Sequence, residues 1–174
     1  PNRPIPTQSV SDDARQRTIA LYAPSKTFNL AGLVGSYHII YDDWLRDRMR
    51  QEGSLSHYNS MNVLSMHALI GAYSDAGREW TDQLCAVLRG NVDCALDCFA
   101  AHFPGVHAAR PQGTYMLFAD CSDWCRDHGK AMDDVLEAAW SVGVTIQDGR
   151  AFHGPCHFRM NLALPLSRVQ EAME

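Results

Sequence analysis

Thr18-Ile19-Ala20-Leu21-Tyr22-Ala23-Pro24-Ser25-Lys26-Thr27-Phe28-Asn29-Leu30-Ala31-Gly32-Leu33 is the stretch on which the fold turns. Its first six residues are β-prone and are stopped by Pro24, which predicts a buried strand ending at Ala23. Ser25 to Gly35 then holds small residues and two glycines, and leads into a second strand candidate, Ser36 to Tyr41. Lys26 is thereby placed just past a strand's carboxyl end, where open α/β sheets bind their ligands. The chain has 15 basic residues but only two lysines, Lys26 and Lys130. A lysine does covalent chemistry when its amine is neutral, and burial among apolar groups favours that form. Lys26 in this setting could bond to a carbonyl cofactor. From the residues alone a surface lysine in a βα loop remains the ordinary alternative.

Outward from this stretch, Ser11 to Arg17 is polar and helix-compatible. Asp42 to Gln51 reads as a surface helix, with an acidic start and arginines toward its far end, broken by Gly53 to Ser56. Asn59 to Ala76 is helical and apolar on most of its circumference (Val63, Leu64, Met66, Leu69, Ile70, Tyr73), which predicts a largely buried helix. Gly77 is expected to separate it from a longer one. There Trp80, Leu84, Val87, Leu88, Val92, Ala95, Leu96, Phe99 and Phe103 recur at steps of three and four, ending before Pro104-Gly105. Strands are predicted at Val106 to Ala109 and Thr114 to Ala119, joined through Pro111-Gln112-Gly113, and again at Val144 to Ile146 and His157 to Leu162. Lys130 to Val142 and Leu166 to Met173 are predicted helices.

The totals set the class. At 174 residues and 46% apolar content the chain can build a real core, which excludes disorder as the main reading. The net charge of −5 comes with acids and bases interleaved, as in Asp42-Asp43-Trp44-Leu45-Arg46-Asp47-Arg48. Nothing tracks a phosphate backbone or an anionic membrane, so neither nucleic acid nor membrane is an expected partner. No apolar run approaches the roughly 18 residues of a membrane span, and no signal segment opens the chain. The expectation is a soluble cytoplasmic protein. Pro1-Asn2-Arg3-Pro4-Ile5-Pro6 lacks a methionine and reads as an extended connector, as if the chain starts in the middle of something.

The run Ala23 to Leu33 resembles the cofactor-lysine motif of fold-type I pyridoxal-phosphate enzymes. More narrowly it resembles the class I/II aminotransferase-like cystathionine β-lyases of the MalY/PatB type. Two further stretches agree in order: Pro111-Gln112-Gly113-Thr114-Tyr115-Met116-Leu117-Phe118, and Gly143-Val144 through Phe152-His153-Gly154 to His157-Phe158-Arg159-Met160-Asn161-Leu162-Ala163-Leu164-Pro165. The resemblance covers nearly the whole chain. It implies an α/β fold in which Lys26 carries pyridoxal 5'-phosphate, with Ser25 and Ser36 as candidate donors to its phosphate, and in which Arg159 clamps the substrate's α-carboxylate. A guanidinium fork suits that last task because it meets a carboxylate through two parallel hydrogen bonds. Read without the resemblance, Arg159 is an ordinary edge-strand arginine. Many fold-type I enzymes have an arginine eight residues after the lysine. Val34 stands there in this chain, a trait the subgroup shares.

Such enzymes are more than twice this length. Their first half supplies a phosphate-cradling turn, a ring-stacking aromatic, an asparagine near the ring oxygen and an aspartate on the pyridine nitrogen, and none of these motifs precedes Lys26. The resemblance therefore implies a C-terminal portion, with residues 1–55 a remnant of the large cofactor domain and 56–174 the small domain, including a long interdomain helix. The implied activity is carbon–sulfur β-elimination on an amino acid, giving pyruvate, ammonia and a thiol, in a homodimer. Aminotransferase is the alternative within the family.

Two readings of other classes stand beside it. One is a catalytically inert fragment, because most of the cofactor's surroundings lie outside the chain. The other is a zinc-binding module built on Cys121-x3-Cys125-x2-His128, Cys94-x3-Cys98 and His153-x2-Cys156-His157. Against zinc, Cys94 and Cys98 sit beside a helix's apolar stripe and no C-x2-C knuckle occurs. The six cysteines read as reduced thiols. Trp80, Phe99 and Phe103 read as a core or interface stripe. His38, His67 and His102 read as isolated structural histidines, and Asp120 and Asp123 as a polar turn.

Overall fold

A computed structural model describes residues 4–56 and 60–174. Its contacts divide the chain into one unit ending at Gln83 and a second running Leu84–Glu174. Residues 1–3 of the expected N-terminal connector, and Asn59 at the expected helix start, lie outside the described residues.

The first unit opens with α1 (Asp12–Arg17), capped by the Ser11 hydroxyl accepting from the Ala14 amide. Strand β1 (Ala20–Tyr22) follows, and pairs antiparallel with β2 (Tyr37–Ile39) in the register Ala20↔Ile39 and Tyr22↔Tyr37. Buried Gln8 locks this ribbon by donating its Nε2 protons to the Thr18 and Ile39 carbonyls, each at 2.9 Å. The expected buried strand is overturned here. Leu21 is 71% exposed, because a two-stranded ribbon has no flanking strand to cover it.

Helix α2 (Asp43–Ser54) is started by the Asp42 carboxylate, which accepts from the Leu45 amide at 2.7 Å. The helix ends within the predicted break, running through Gly53 to Ser54 with Leu55 as its C-cap. Helix α3 (Val63–Ala72) has the Asn62 side chain as its N-cap. The expectation that it is largely buried fails as well. Val63, Leu64 and Ile70 are 66%, 70% and 64% exposed, and only Ser65 and Ala72 are buried. An apolar stripe that wraps most of a helix needs cover on every side, and its own unit covers it only beside Leu33 and Gly35. The break between α3 and α4 (Asp75–His102) falls at Tyr73-Ser74 rather than at Gly77. Gly77 lies inside α4 for a different reason: a Cβ there would meet the Ala72 carbonyl oxygen at 2.0 Å.

The second unit holds a well-developed core. From Leu84 onward α4 turns Val92, Ala95 and Phe99 inward at helical spacing. They face an antiparallel sheet in the order β3 (His107–Ala108), β4 (Met116–Asp120), β6 (His157–Asn161), β5 (Gln147–Asp148). Leu117 and Ala119 of β4, and Phe158 and Met160 of β6, are the inward members of two alternating strands. Phe99 meets Phe158 edge to face at 5.9 Å. Helix α5 (Ser122–His128) adds buried Cys125, α6 (Met132–Ser141) adds Met132, and α7 (Leu166–Met173) adds Val169. Helix α5 replaces the expected polar turn around Asp123. The fifth strand falls at Gln147–Asp148, just beyond the predicted Val144 to Ile146.

Asn91 is completely buried in this core and donates through Nδ2 to the carbonyls of Leu162 and Leu164, both at 2.8 Å. It ties α4 to the segment that leaves β6. No helix among the described residues is long and apolar enough to cross a membrane.

Candidate functional site

Lys26 sits four residues beyond the end of β1, in a turn that two backbone bonds close: the Phe28 amide to the Pro24 carbonyl and the Leu30 amide to the Ser25 carbonyl, both 3.0 Å. Asn29, at φ 53°, supplies the left-handed residue that such a closure needs. Phe28 anchors the turn, stacking on Trp80 at 5.6 Å and meeting Tyr73 edge-on at 6.1 Å. Tyr73 in turn packs on Tyr37, and their hydroxyls lie 3.0 Å apart. That contact, with burial, pushes the Tyr37 phenol up to about 12. The five-residue run after Pro24 is thus held at Phe28, while Lys26 itself is exposed. The desolvation expected around its amine is not provided by the elements of its own unit.

Ser25 and Ser36 line one open cleft of about 1110 Å³ together with Val34, Gly35, Tyr37, His38 and Arg50. The structure brings the two serines of the predicted phosphate site to a common surface. Val34, in the place where many fold-type I enzymes carry an arginine, is also on this cleft. It adopts φ 45°, a left-handed conformation that a β-branched residue rarely takes.

Arg159 occupies the middle of β6, facing Phe118 of β4 on one side and Gln147 of β5 on the other. Its Nε donates to Gln147 Oε1 at 2.7 Å, and its Nη2 donates to the same oxygen. The guanidinium carbon lies 3.9 Å from the centroid of the Phe152 ring. Phe152 reaches it from a short 3-10 turn, Gly149–Phe152, that presses against β6. Gly149 makes this possible, since a Cβ there would come within 2.3 Å of the His157 carbonyl oxygen.

Arg150, on the turn that carries Phe152, is by contrast paired with Asp133 and Asp148. Among the described residues no carboxylate lies within 4.0 Å of the Arg159 guanidinium, although the residue is half-buried. The Arg159 guanidinium thus has an amide oxygen on one edge and an aromatic ring against one face. Sequence reasoning selected Arg159 but missed Gln147. Their pairing depends on strand register, and nothing local to Gln147 signals it.

The cysteines do not form the metal site entertained above. Among the described residues no group of three or more His, Cys, Asp and Glu side chains is placed to hold a metal ion. All six thiols are free. Burial drives the Cys121 thiol up to about 12, and burial plus a hydrogen bond with Cys156 raises Cys125 to about 11. Cys98 donates its thiol to the Met173 carbonyl at 3.4 Å. The His128 ring stacks on Trp124 and pairs with that residue's carbonyl at 2.8 Å. The Cys121 and Cys125 sulfurs serve as core packing, and the Cys/His spacings entertained for zinc are not brought together. Asp120 is held below the usual carboxylate range, chiefly by the Ser122 hydroxyl.

No family model matches the chain. It is 27% identical over 171 residues to the cystathionine β-lyase PatB of Bacillus subtilis, covering 97% of this chain and 43% of that protein. It is 30% identical to protein MalY of Escherichia coli, covering 94% and 42% respectively. Among solved structures, cystalysin from Treponema denticola, which contains a pyridoxal 5'-phosphate cofactor, superposes with a TM-score of 0.82 at 28% identity over 95% of this chain and 42% of that one. The chain thus spans less than half the length of the relatives it matches.

Proposed function

On the premise that the chain is homologous to the MalY/PatB cystathionine β-lyases and to aminotransferases over about 43% of their length, a partial fold-type I pyridoxal-phosphate enzyme, we propose that it supplies the cofactor lysine and the carboxylate clamp of a carbon–sulfur β-lyase. The observation that carries this is Arg159, a half-buried arginine with no carboxylate partner among the described residues and a guanidinium held by Gln147 and Phe152. The lysine turn supports it, because it presents an accessible primary amine on a hydrogen-bonded turn directly after Ser25, which lines a cleft shared with Ser36.

Bound pyridoxal 5'-phosphate supplies an electron sink that stabilises negative charge at the substrate's Cα. Lys26 would hold it covalently through Nζ, and Ser25 would donate to its phosphate, with Ser36 opposite on the cleft. Arg159 would grip the amino acid's α-carboxylate through paired N–H donors and fix the orientation of the Cα–H bond. The Lys26 amine would serve as the base that takes the Cα proton. The reaction this supports is expulsion of a β-thiolate, with water then consumed to give pyruvate and ammonia beside the thiol. We assign residues 1–55 to the large cofactor-binding domain and 56–174 to the small one, in a cytoplasmic homodimer.

The test is made on the longest polypeptide that carries this sequence. Thiol release from cystathionine without a 2-oxo acid supports the lyase, and strict dependence on a 2-oxo acid replaces it with an aminotransferase. Borohydride should fix pyridoxal 5'-phosphate to Lys26, with no fixation in Lys26→Ala. Equal fixation in both would reject the assignment. The 174 residues alone are expected to turn over cystathionine no faster than free cofactor does.

A further inference from the structure

Gln147 is the one side chain that hydrogen-bonds Arg159 among the described residues, and it does so from the neighbouring strand at the paired position. A guanidinium has five N–H donors. Gln147 Oε1 accepts from Nε and from one Nη2 hydrogen, which occupies the side-on edge. Phe152 covers one face at 3.9 Å. The remaining Nη1 and Nη2 hydrogens form the end-on edge, itself a bidentate fork for a carboxylate.

We infer that Gln147 is a positioning residue: it fixes the Arg159 guanidinium side-on so that the end-on fork is presented to a carboxylate, and its neutrality keeps the full positive charge available for that ligand. This rests on the reading of Arg159 as a carboxylate clamp. An Asp or Glu at 147 would hold the guanidinium as firmly but would cancel its charge. An apolar side chain would keep the charge and lose the orientation. An amide satisfies both demands, and the carboxylates that crowd this edge of the sheet are drawn off elsewhere, since Asp148 and Asp133 are engaged by Arg150.

The experiment follows the Arg159 Nε–H resonance of the intact 174-residue protein by NMR, assigned by its loss in Arg159→Lys, during titration with sodium acetate against a matched chloride series. Gln147 is exposed on an edge strand, so its variants should fold; the amide spectrum of the Leu84–Glu174 core verifies this. In the wild type the Nε–H signal should persist at neutral pH and move with acetate. In Gln147→Glu it should persist while the apparent acetate affinity falls at least tenfold. In Gln147→Met it should broaden through exchange with water while weak acetate binding remains. A wild-type signal that moves with acetate, matched by unchanged affinity in Gln147→Glu, overturns the role of Gln147 and leaves the clamp standing. A wild-type signal indifferent to acetate overturns the clamp and this inference together.

Discussion

Replacing Asn91 tests whether the second unit is held by a buried polar pin as much as by apolar packing. The side chain is wholly inaccessible, and its Nδ2 makes two 2.8 Å bonds to the Leu162 and Leu164 carbonyls. Its Oδ1 has no hydrogen-bond partner among the described residues, so its polar contribution comes through the two donors. In Asn91→Ala both bonds vanish. At about 0.5–1.5 kcal/mol net each, plus about 1–3 kcal/mol for leaving the buried Leu162 carbonyl unpaired, the loss is about 2–6 kcal/mol. For a unit of this size that corresponds to a melting temperature lower by roughly 10–40 °C. Asn91→Asp keeps the shape but aims a carboxylate at two carbonyl oxygens. The folded state then tolerates only the protonated acid, whose pKa is raised, so the deficit should grow as pH rises above about 4, the unfolded carboxyl value. Urea titration of the three proteins between pH 4 and 8 decides the matter. An Asn91→Ala loss below about 0.5 kcal/mol, or an Asn91→Asp deficit independent of pH, would refute the pin.

Buried thiols predict a specific alkaline limit: Cys121 and Cys125 ionise near 9 when unfolded but near 12 and 11 in the fold. The unfolded state therefore loses its protons first, so stability present below pH 9 declines as pH rises toward 12, and Cys121→Ala should flatten that decline in a pH series of urea midpoints. Exposed Cys85 should react with a thiol reagent at neutral pH long before Cys121 does, and equal rates would contradict the core. Gly77→Ala forces a Cβ against the Ala72 carbonyl, and should cost about 1–3 kcal/mol locally, seen as faster amide exchange at Tyr73, whose N–H bonds the Leu69 carbonyl. Val34→Gly releases a β-branched residue from φ 45° and should stabilise the first unit by up to about 1 kcal/mol after the glycine entropy is subtracted, read as a higher urea midpoint.

Much of the second unit was legible from spacing. The steps of three and four from Val92 to Phe99 became α4's buried stripe, while Val87, earlier in the same pattern, stands exposed. Leu166 to Met173 became α7 at those bounds, and the alternation around Leu117 and Phe158 became paired strands. The first unit was less legible. Periodicity reports which face of a helix is apolar, not whether anything covers it, and α3 shows the difference: Val63, Leu64 and Ile70 have the pattern of burial and stand exposed.

By itself the sequence singled out Lys26 and Arg159 as candidates, because the motifs around them are matters of residue type and short-range order that a family resemblance can pick out. Only the tertiary structure decided how those groups are dressed. Gln147 lies twelve positions from Arg159 and meets it through the β5–β6 register. Asn91 lies more than seventy positions from the carbonyls it holds. Such contacts arise when a whole sheet closes on a helix, and no local propensity encodes them.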